Sequence, residues 1–264
     1  MKTWFITGIS RGLGLALAKA VVARGDALIG TVRGAAPDLP AKIIELDLAD
    51  AAAIPAAIDA AFSHTGRIDV LVNNAGYGLL GALEQATDAE IDRLLAVDLL
   101  APMKLIRAAL PRLRAQKQGH IINVTSIAGR APGAVSAAYA AAKGGLEMLS
   151  AALAQELRPL GIHVTAVAPG AFRTDFLEPT SIQKSASADY ATANVAAFDA
   201  MSGKQLGDPG RAARVILDIA DSPTPPLHLL LGSDALQRAR DKLAATAEEV
   251  ARYEALTRTT DFPT

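Results

Sequence analysis

Cysteine is absent from the 264 residues. That excludes disulfide frameworks, thiolate nucleophiles and cysteine-ligated zinc, and says nothing about compartment. Aromatic residues make up only 4% of the chain, too few for a platform on which nucleic-acid bases stack. An excess of one charge is missing too. The 26 Lys and Arg balance 27 Asp and Glu, so there is no basic surface for phosphate neutralisation and no nucleic-acid partner is expected. No run reaches the ~18 uninterrupted apolar residues of a membrane span. The first apolar run ends at Gly8, too soon for the core of a signal peptide. The expectation is a cytoplasmic protein with no membrane partner. What is present is a chain 51% hydrophobic and mostly aliphatic, long enough to bury a large core.

Short apolar runs alternate with longer helical patterns. Residues 4–7, 27–32, 43–46, 70–73, 120–124, 163–168 and 227–231 read as strands. The early ones are continuously apolar, which suits strands covered on both faces. Helical patterns occupy 12–24, 51–64, 88–115, 138–158, 209–219 and 234–256. Gly25 follows the first as a C-cap signal, and Thr87 with Glu90 has the spacing of a capping box. This alternation predicts an α/β protein: a doubly wound parallel sheet of about seven strands, helices on both faces, ligands at the carboxyl ends of the strands. With no internal repeat and no linker, residues 1–264 read as one domain. Residues 173–207 fall outside the regular pattern and predict a substrate loop. A C-terminal helical extension, 234–257, is amphipathic through Leu236, Leu243, Val250 and Leu256. Its interspersed charges of both signs favour core packing or a subunit contact over membrane attachment.

The first strand meets the first helix at Thr7-Gly8-Ile9-Ser10-Arg11-Gly12-Leu13-Gly14. Glycines at 8, 12 and 14 allow a tight turn and close approach of a pyrophosphate, which the helix N-terminus attracts with free N–H groups. Four more segments follow in order. Asp47-Leu48 comes after the third strand, and Asn73-Asn74-Ala75-Gly76 after the fourth. Ser126 lies 13 residues before Tyr139, with Lys143 four beyond it, and Pro169-Gly170 leads to Phe172 and Thr174. Taken together, TGxxxGxG, NNAG, Ser…YxxxK and PGxxxT resemble the short-chain dehydrogenase/reductase family, over residues 7–174 and the helix–strand pair beyond.

The resemblance implies a Rossmann-like fold and an oxidoreductase interconverting an alcohol and a ketone or aldehyde. It puts Gly8, Ser10, Arg11, Gly12, Leu13 and Gly14 around the dinucleotide phosphates and Asp47 and Leu48 against adenine. Asn74, Ala75 and Gly76 also line the cofactor, with Pro169, Gly170, Phe172 and Thr174 near the nicotinamide carboxamide and phosphates. The second strand ends Gly30-Thr31-Val32-Arg33, without the carboxylate that holds the ribose 2′-hydroxyl in NAD-binding folds. A guanidinium at Arg33 suits a 2′-phosphate, and Arg11 is a second basic residue common in NADP-type members. The alternative is that both are solvated surface charges. The expectation is NADP(H) in preference to NAD(H).

Moving a hydride between carbonyl and alcohol also requires a proton on or off oxygen. Tyrosine, with a pKa near 10, is a poor base at neutral pH unless an ammonium stabilises its phenolate. Tyr139 and Lys143 share a helix face one turn apart. In the family Tyr is the general acid/base, Lys lowers its pKa and binds the nicotinamide ribose, and a hydroxyl such as that of Ser126 holds the substrate oxygen. The chain departs from the family at Asp98, where an Asn normally stabilises a helix irregularity and its backbone carbonyl holds a water linking Lys to solvent. Two readings stand: a tolerated variant with the relay intact, or an impaired relay in a slow or specialised protein. At its limit the second becomes a non-catalytic dinucleotide sensor of the same fold.

The pocket is expected at 78–81, 128–135 and 173–207. Ala131, Ala134, Val135, Phe172, Phe176 and Leu177 make it apolar and favour a small hydrophobic alcohol or ketone. Arg173, Asp175 and Lys184 are either polar anchors or solvated loop charges. His64, His120, His163 and His228 have no ligand spacing, so no metal is expected. By resemblance, the helices at 88–115 and 138–158 would form a homodimer or homotetramer.

Overall fold

The computed structural model describes residues 1–178, 182–184 and 202–262. Seven strands form one sheet: β1 (Thr3–Thr7), β2 (Ala27–Val32), β3 (Lys42–Glu45), β4 (Val70–Asn73), β6 (Gly119–Val124), β7 (Ile162–Pro169) and β9 (His228–Leu231). Their order is β3-β2-β1-β4-β6-β7-β9, and every pairing is parallel. Among the described residues seven α-helices accompany them: α1 (Gly12–Ala23), α2 (Ala53–Thr65), α3 (Asp88–Leu95), α4 (Ala101–Gln116), α5 (Ala137–Leu157), α6 (Pro209–Asp221) and α7 (Ser233–Arg258).

Period-two geometry explains the continuous apolar runs. Phe5, Leu71, Ile121 and Val164 point to one face, where they pack on apolar residues of α2, α4 and α5 such as Ile58, Leu105 and Leu153. Trp4, Ile6, Val72, Ile122 and Val167 point to the other, against Leu17 and Val21 of α1 and Ile216 of α6. The strand order reverses between β1 and β4, which opens a crevice at their carboxyl ends. Among the described residues no helix is long and apolar enough to cross a membrane.

The expected helix over 88–115 begins at the capping box of Thr87 and Glu90, but is interrupted. A π-turn, Ala96–Leu100, separates α3 from α4, with the Ala101 N–H bonded to the Ala96 carbonyl. Pro102 supplies a reason: it has no N–H to give the carbonyl four residues back, that of Asp98. The sequence pattern also missed a three-residue parallel pair, β5 (Gly78–Leu80) with β8 (Ile182–Lys184), which is too short to show a period.

Candidate active site

The glycine turn is closed from behind by the segment after β4. The Asn74 side-chain amide donates to the carbonyls of Thr7 (2.9 Å) and Gly8 (3.1 Å). The Thr7 hydroxyl oxygen accepts from the Asn74 and Ala75 N–H groups, both at 3.0 Å. A Cβ at Gly14 would fall 2.2 Å from the Gly8 carbonyl oxygen, so only glycine lets α1 sit this close to β1. Gly8 itself turns at φ +72. On the open side a Cβ at Gly12 would meet only Thr174, at 3.7 Å, which brings the PGxxxT segment alongside the turn.

The first turn of α1 carries no side-chain cap and no acidic residue, leaving its N–H groups facing the crevice. This fits a dinucleotide: a backbone cradle at a helix N-terminus and no carboxylate to repel phosphate. Ser10 is exposed on the turn, Arg11 is half-buried at the cap, and Leu13 packs inward against the core. Arg33 is exposed at the end of β2. Asp47 lies across from it, its carboxyl held below the usual range by the Ala49 N–H at 3.0 Å and by the charges of Arg93 and Arg33, against opposing desolvation. Leu48 is buried beneath. After β7, Gly170 comes so close to Asp234 that a Cβ would strike its carboxylate, which accepts from the Ala171 N–H at 2.7 Å. Phe172 is half-buried against the core and lies close to Gly207 and Gly232.

The reactive side chains come together at the carboxyl end of β6. Ser126 lies two residues past the end of β6, and its hydroxyl oxygen accepts from the Ala128 N–H at 3.1 Å. Tyr139 lies in the first turn of α5 and is 8% exposed. Lys143, 4% exposed, donates to the Val124 carbonyl at 3.1 Å and sits 6.0 Å from the Tyr139 ring centroid. The chain's departure from the family pattern lies against it. Asp98 is fully buried in the π-turn, with one carboxylate oxygen 3.1 Å from the Lys143 ammonium and the other accepting from the Tyr77 N–H at 3.2 Å. Gly76 closes this corner, where a Cβ would be 2.8 Å from Asp98 and 3.1 Å from Lys143.

Burial raises the pKa of Tyr139. The Lys143 ammonium works against that rise, the Asp98 charge adds to it, and the nearby Ser126 hydroxyl opposes it. Burial alone would depress Lys143, but the charges of Asp98 and Tyr139 outweigh burial and raise its pKa. Asp98 is raised by burial against the pull of Lys143 and the Tyr77 N–H. Tyr139, Lys143 and Asp98 therefore titrate as one coupled set.

Around Tyr139 the walls are apolar: Tyr77, Leu79, Ile91, Leu94, Ala128 and Phe176 pack together, with the Phe176 ring 6.1 Å from the tyrosine. The 78–81 and 128–135 segments meet where the Gly81 N–H donates to the Val135 carbonyl at 2.8 Å. Val135 has φ +59, a strained conformation for a β-branched residue at the rim of this pocket. Ala131 is buried, Ala134 exposed, and Leu177 half-buried in the turn after Thr174. Arg173 donates to the Gln205 carbonyl at 3.1 Å, while Asp175 is exposed. The Lys184 side chain, and residues 179–181 and 185–201 of the expected substrate loop, lie outside the described residues.

Sequence spacing did not reveal the supports beneath the site. Buried Glu147, one turn beyond Lys143, accepts from Arg130 at 2.6 Å, stands 3.4 Å from His228 and receives the Thr125 hydroxyl next to Ser126. Asn73 joins Asn123 and Ser150 in a buried chain of 2.8 Å bonds between β4, β6 and α5. The other histidines are structural: the His120 and His163 rings stack edge-on at 6.1 Å, and burial, helped by the His163 and Lys2 charges, lowers His120 to about 3. His64 sits in the last turn of α2. Replacing Glu147 with Ala is expected to destabilise the fold by about 1–3 kcal/mol, since Arg130 keeps some solvent access. Chemical denaturation checks this, and an unchanged midpoint would deny Glu147 its bracing role.

The family model for short chain dehydrogenases matches residues 2–185. The oxidoreductase BOA17 of Botryotinia fuckeliana is 35% identical, covering 94% of this chain and 96% of the relative. A 3-ketodihydrosphingosine reductase of Bacteroides thetaiotaomicron is 30% identical, covering 86% of each. Among solved structures, a short-chain dehydrogenase from Streptomyces avermitilis superposes with a TM-score of 0.90 at 36% identity, covering 98% of both chains. A metagenomic short-chain oxidoreductase crystallised with NADP superposes with a TM-score of 0.69 at 32% identity, covering 87% of this chain and 96% of that one.

Proposed function

The chain belongs to the short-chain dehydrogenase family of nicotinamide-dependent oxidoreductases, and on that premise we propose that it is an NADP(H)-dependent enzyme interconverting an apolar ketone or aldehyde and the corresponding alcohol. The observation that carries this reading is the gathering of buried Tyr139 and Lys143, 6.0 Å apart, with Ser126 just past β6, in a chain whose α1 N-terminus has no side-chain cap. Arg33 at the end of β2, in place of a carboxylate, supports the 2′-phosphorylated cofactor, as does the relative crystallised with NADP. The apolar walls around Tyr139, and a relative named as a reductase of a keto compound, support the substrate class.

When bound, the reduced nicotinamide supplies a hydride to the carbonyl carbon. The Tyr139 hydroxyl gives its proton to the carbonyl oxygen, which also accepts a hydrogen bond from Ser126. Lys143 stabilises the phenolate left behind. Asp98 holds the ammonium in place, and the apolar walls keep water from the oxygen. The faces of α4 and α5 expose Met103 and Met148, which supports their use as a subunit contact. Steady-state NADPH consumption tests the reading: apolar ketones should be turned over and small charged keto acids should not. Turnover confined to the charged acids would refute it.

Asp98 sharpens the chemistry. Its charge raises the Tyr139 pKa, so Asp98→Asn should make the phenolate easier to form. In alcohol oxidation, where Tyr139 must accept a proton, the rising limb of the pH–rate profile should move to lower pH. Superimposable profiles for wild type and Asp98→Asn would show that the carboxylate does not act on the tyrosine.

A further inference from the structure

The described part of the molecule leaves one large feature that the proposed chemistry does not use. Only Ala235 and Ala239 of α7 are buried against the body, and every residue from 241 to 262 is exposed. The free part of the helix, residues 241–258, is roughly 27 Å long at 1.5 Å per residue. Most helical stability in a protein comes from packing an amphipathic face, so an apolar stripe left in water calls for a partner. The helix carries such a stripe. Leu236, Leu243 and Val250 recur every seven residues with Tyr253 beside them, and Leu243 and Val250 are 70% and 67% exposed.

We propose that α7 pairs antiparallel with α7 of a second copy of this chain. The occupant follows from the charges that flank the stripe. Arg240 and Lys242 border its first half, and Glu249 and Glu254 border its second half. A parallel pair would set like charges side by side; an antiparallel pair sets the basic half of each helix against the acidic half of the other. The two-fold axis then passes near Thr246, which lies on the same face. Both signs alternate around the remaining surface, which disfavours an anionic lipid surface. This contact is distinct from any between the α4 and α5 faces, and it stands whether or not the reductase reading holds.

The absence of cysteine makes the test simple, because any introduced thiol is the only one in the chain. Thr246→Cys, near the axis, should form a disulfide-linked dimer under mild oxidation. Thr257→Cys, about 11 residues further on, would be roughly 30 Å from its own copy in an antiparallel pair and should stay monomeric on a denaturing gel. In sedimentation equilibrium of the full chain, Lys242→Glu and Glu249→Lys should each weaken self-association at least tenfold, and the two together should restore it. Leu243→Glu with Val250→Glu should lower the assembled mass by half. No cross-link at 246, equal cross-linking at both positions, or single reversals without effect would overturn the proposal.

Discussion

Replacing Tyr139 with Phe should lower kcat for an apolar ketone by roughly 10²- to 10⁴-fold, the usual contribution of a positioned acid or base. The change removes one oxygen from a ring packed between Phe176 and Leu79, so the fold and the pocket walls should remain. The cofactor cradle is built by the glycine turn, Asn74 and the segment after β7, none of which depends on the phenol. Affinity for NADPH, read by fluorescence titration, should therefore stay within about threefold. A loss of turnover accompanied by a similar loss of NADPH binding would show a structural role instead. Normal turnover would remove Tyr139 from the chemistry.

The second large effect is expected at the other end of the crevice. Arg33→Asp removes the guanidinium and sets a carboxylate where the 2′-phosphate would lie. A hydrogen bond to a charged group contributes about 1.5–3 kcal/mol, and repulsion acts in the same direction. The ratio of kcat/KM for NADPH over NADH should fall by roughly 10²- to 10³-fold, about 3–4 kcal/mol. Arg33 is exposed, so stability should change by no more than about 0.5 kcal/mol. Retained NADPH preference in this variant would assign Arg33 to ordinary surface charge and leave the 2′-phosphate to other residues, Arg11 first among them.

What could be read from sequence follows the range of the forces involved. The strands of the sheet showed as continuous apolar runs because burial on two faces leaves no room for polar alternation. The glycine turn and the Tyr139–Lys143 pair were legible because their geometry is local: a backbone turn and one helical turn. Asp98 stood out as a substitution where the family has a helix irregularity, but its contact with Lys143 depends on the π-turn that brings the two together. Glu147, Arg130 and His228 come from α5, the turn after β6, and β9, and no spacing links residues that meet only through the fold. Asp234 reads as an ordinary residue of a helix's first turn until β7 and β9 bring it onto Gly170.

The central claim is direct hydride transfer to an apolar carbonyl with Tyr139 supplying the proton. Its most direct test is to incubate the protein with an apolar ketone and NADPH carrying deuterium at the transferable C4 position, then examine the product by mass spectrometry. The account predicts an alcohol one mass unit heavier, labelled on the carbinol carbon, and almost none with Tyr139→Phe. NADPH consumption that yields unlabelled alcohol, or labelled alcohol formed equally well by Tyr139→Phe, would contradict it.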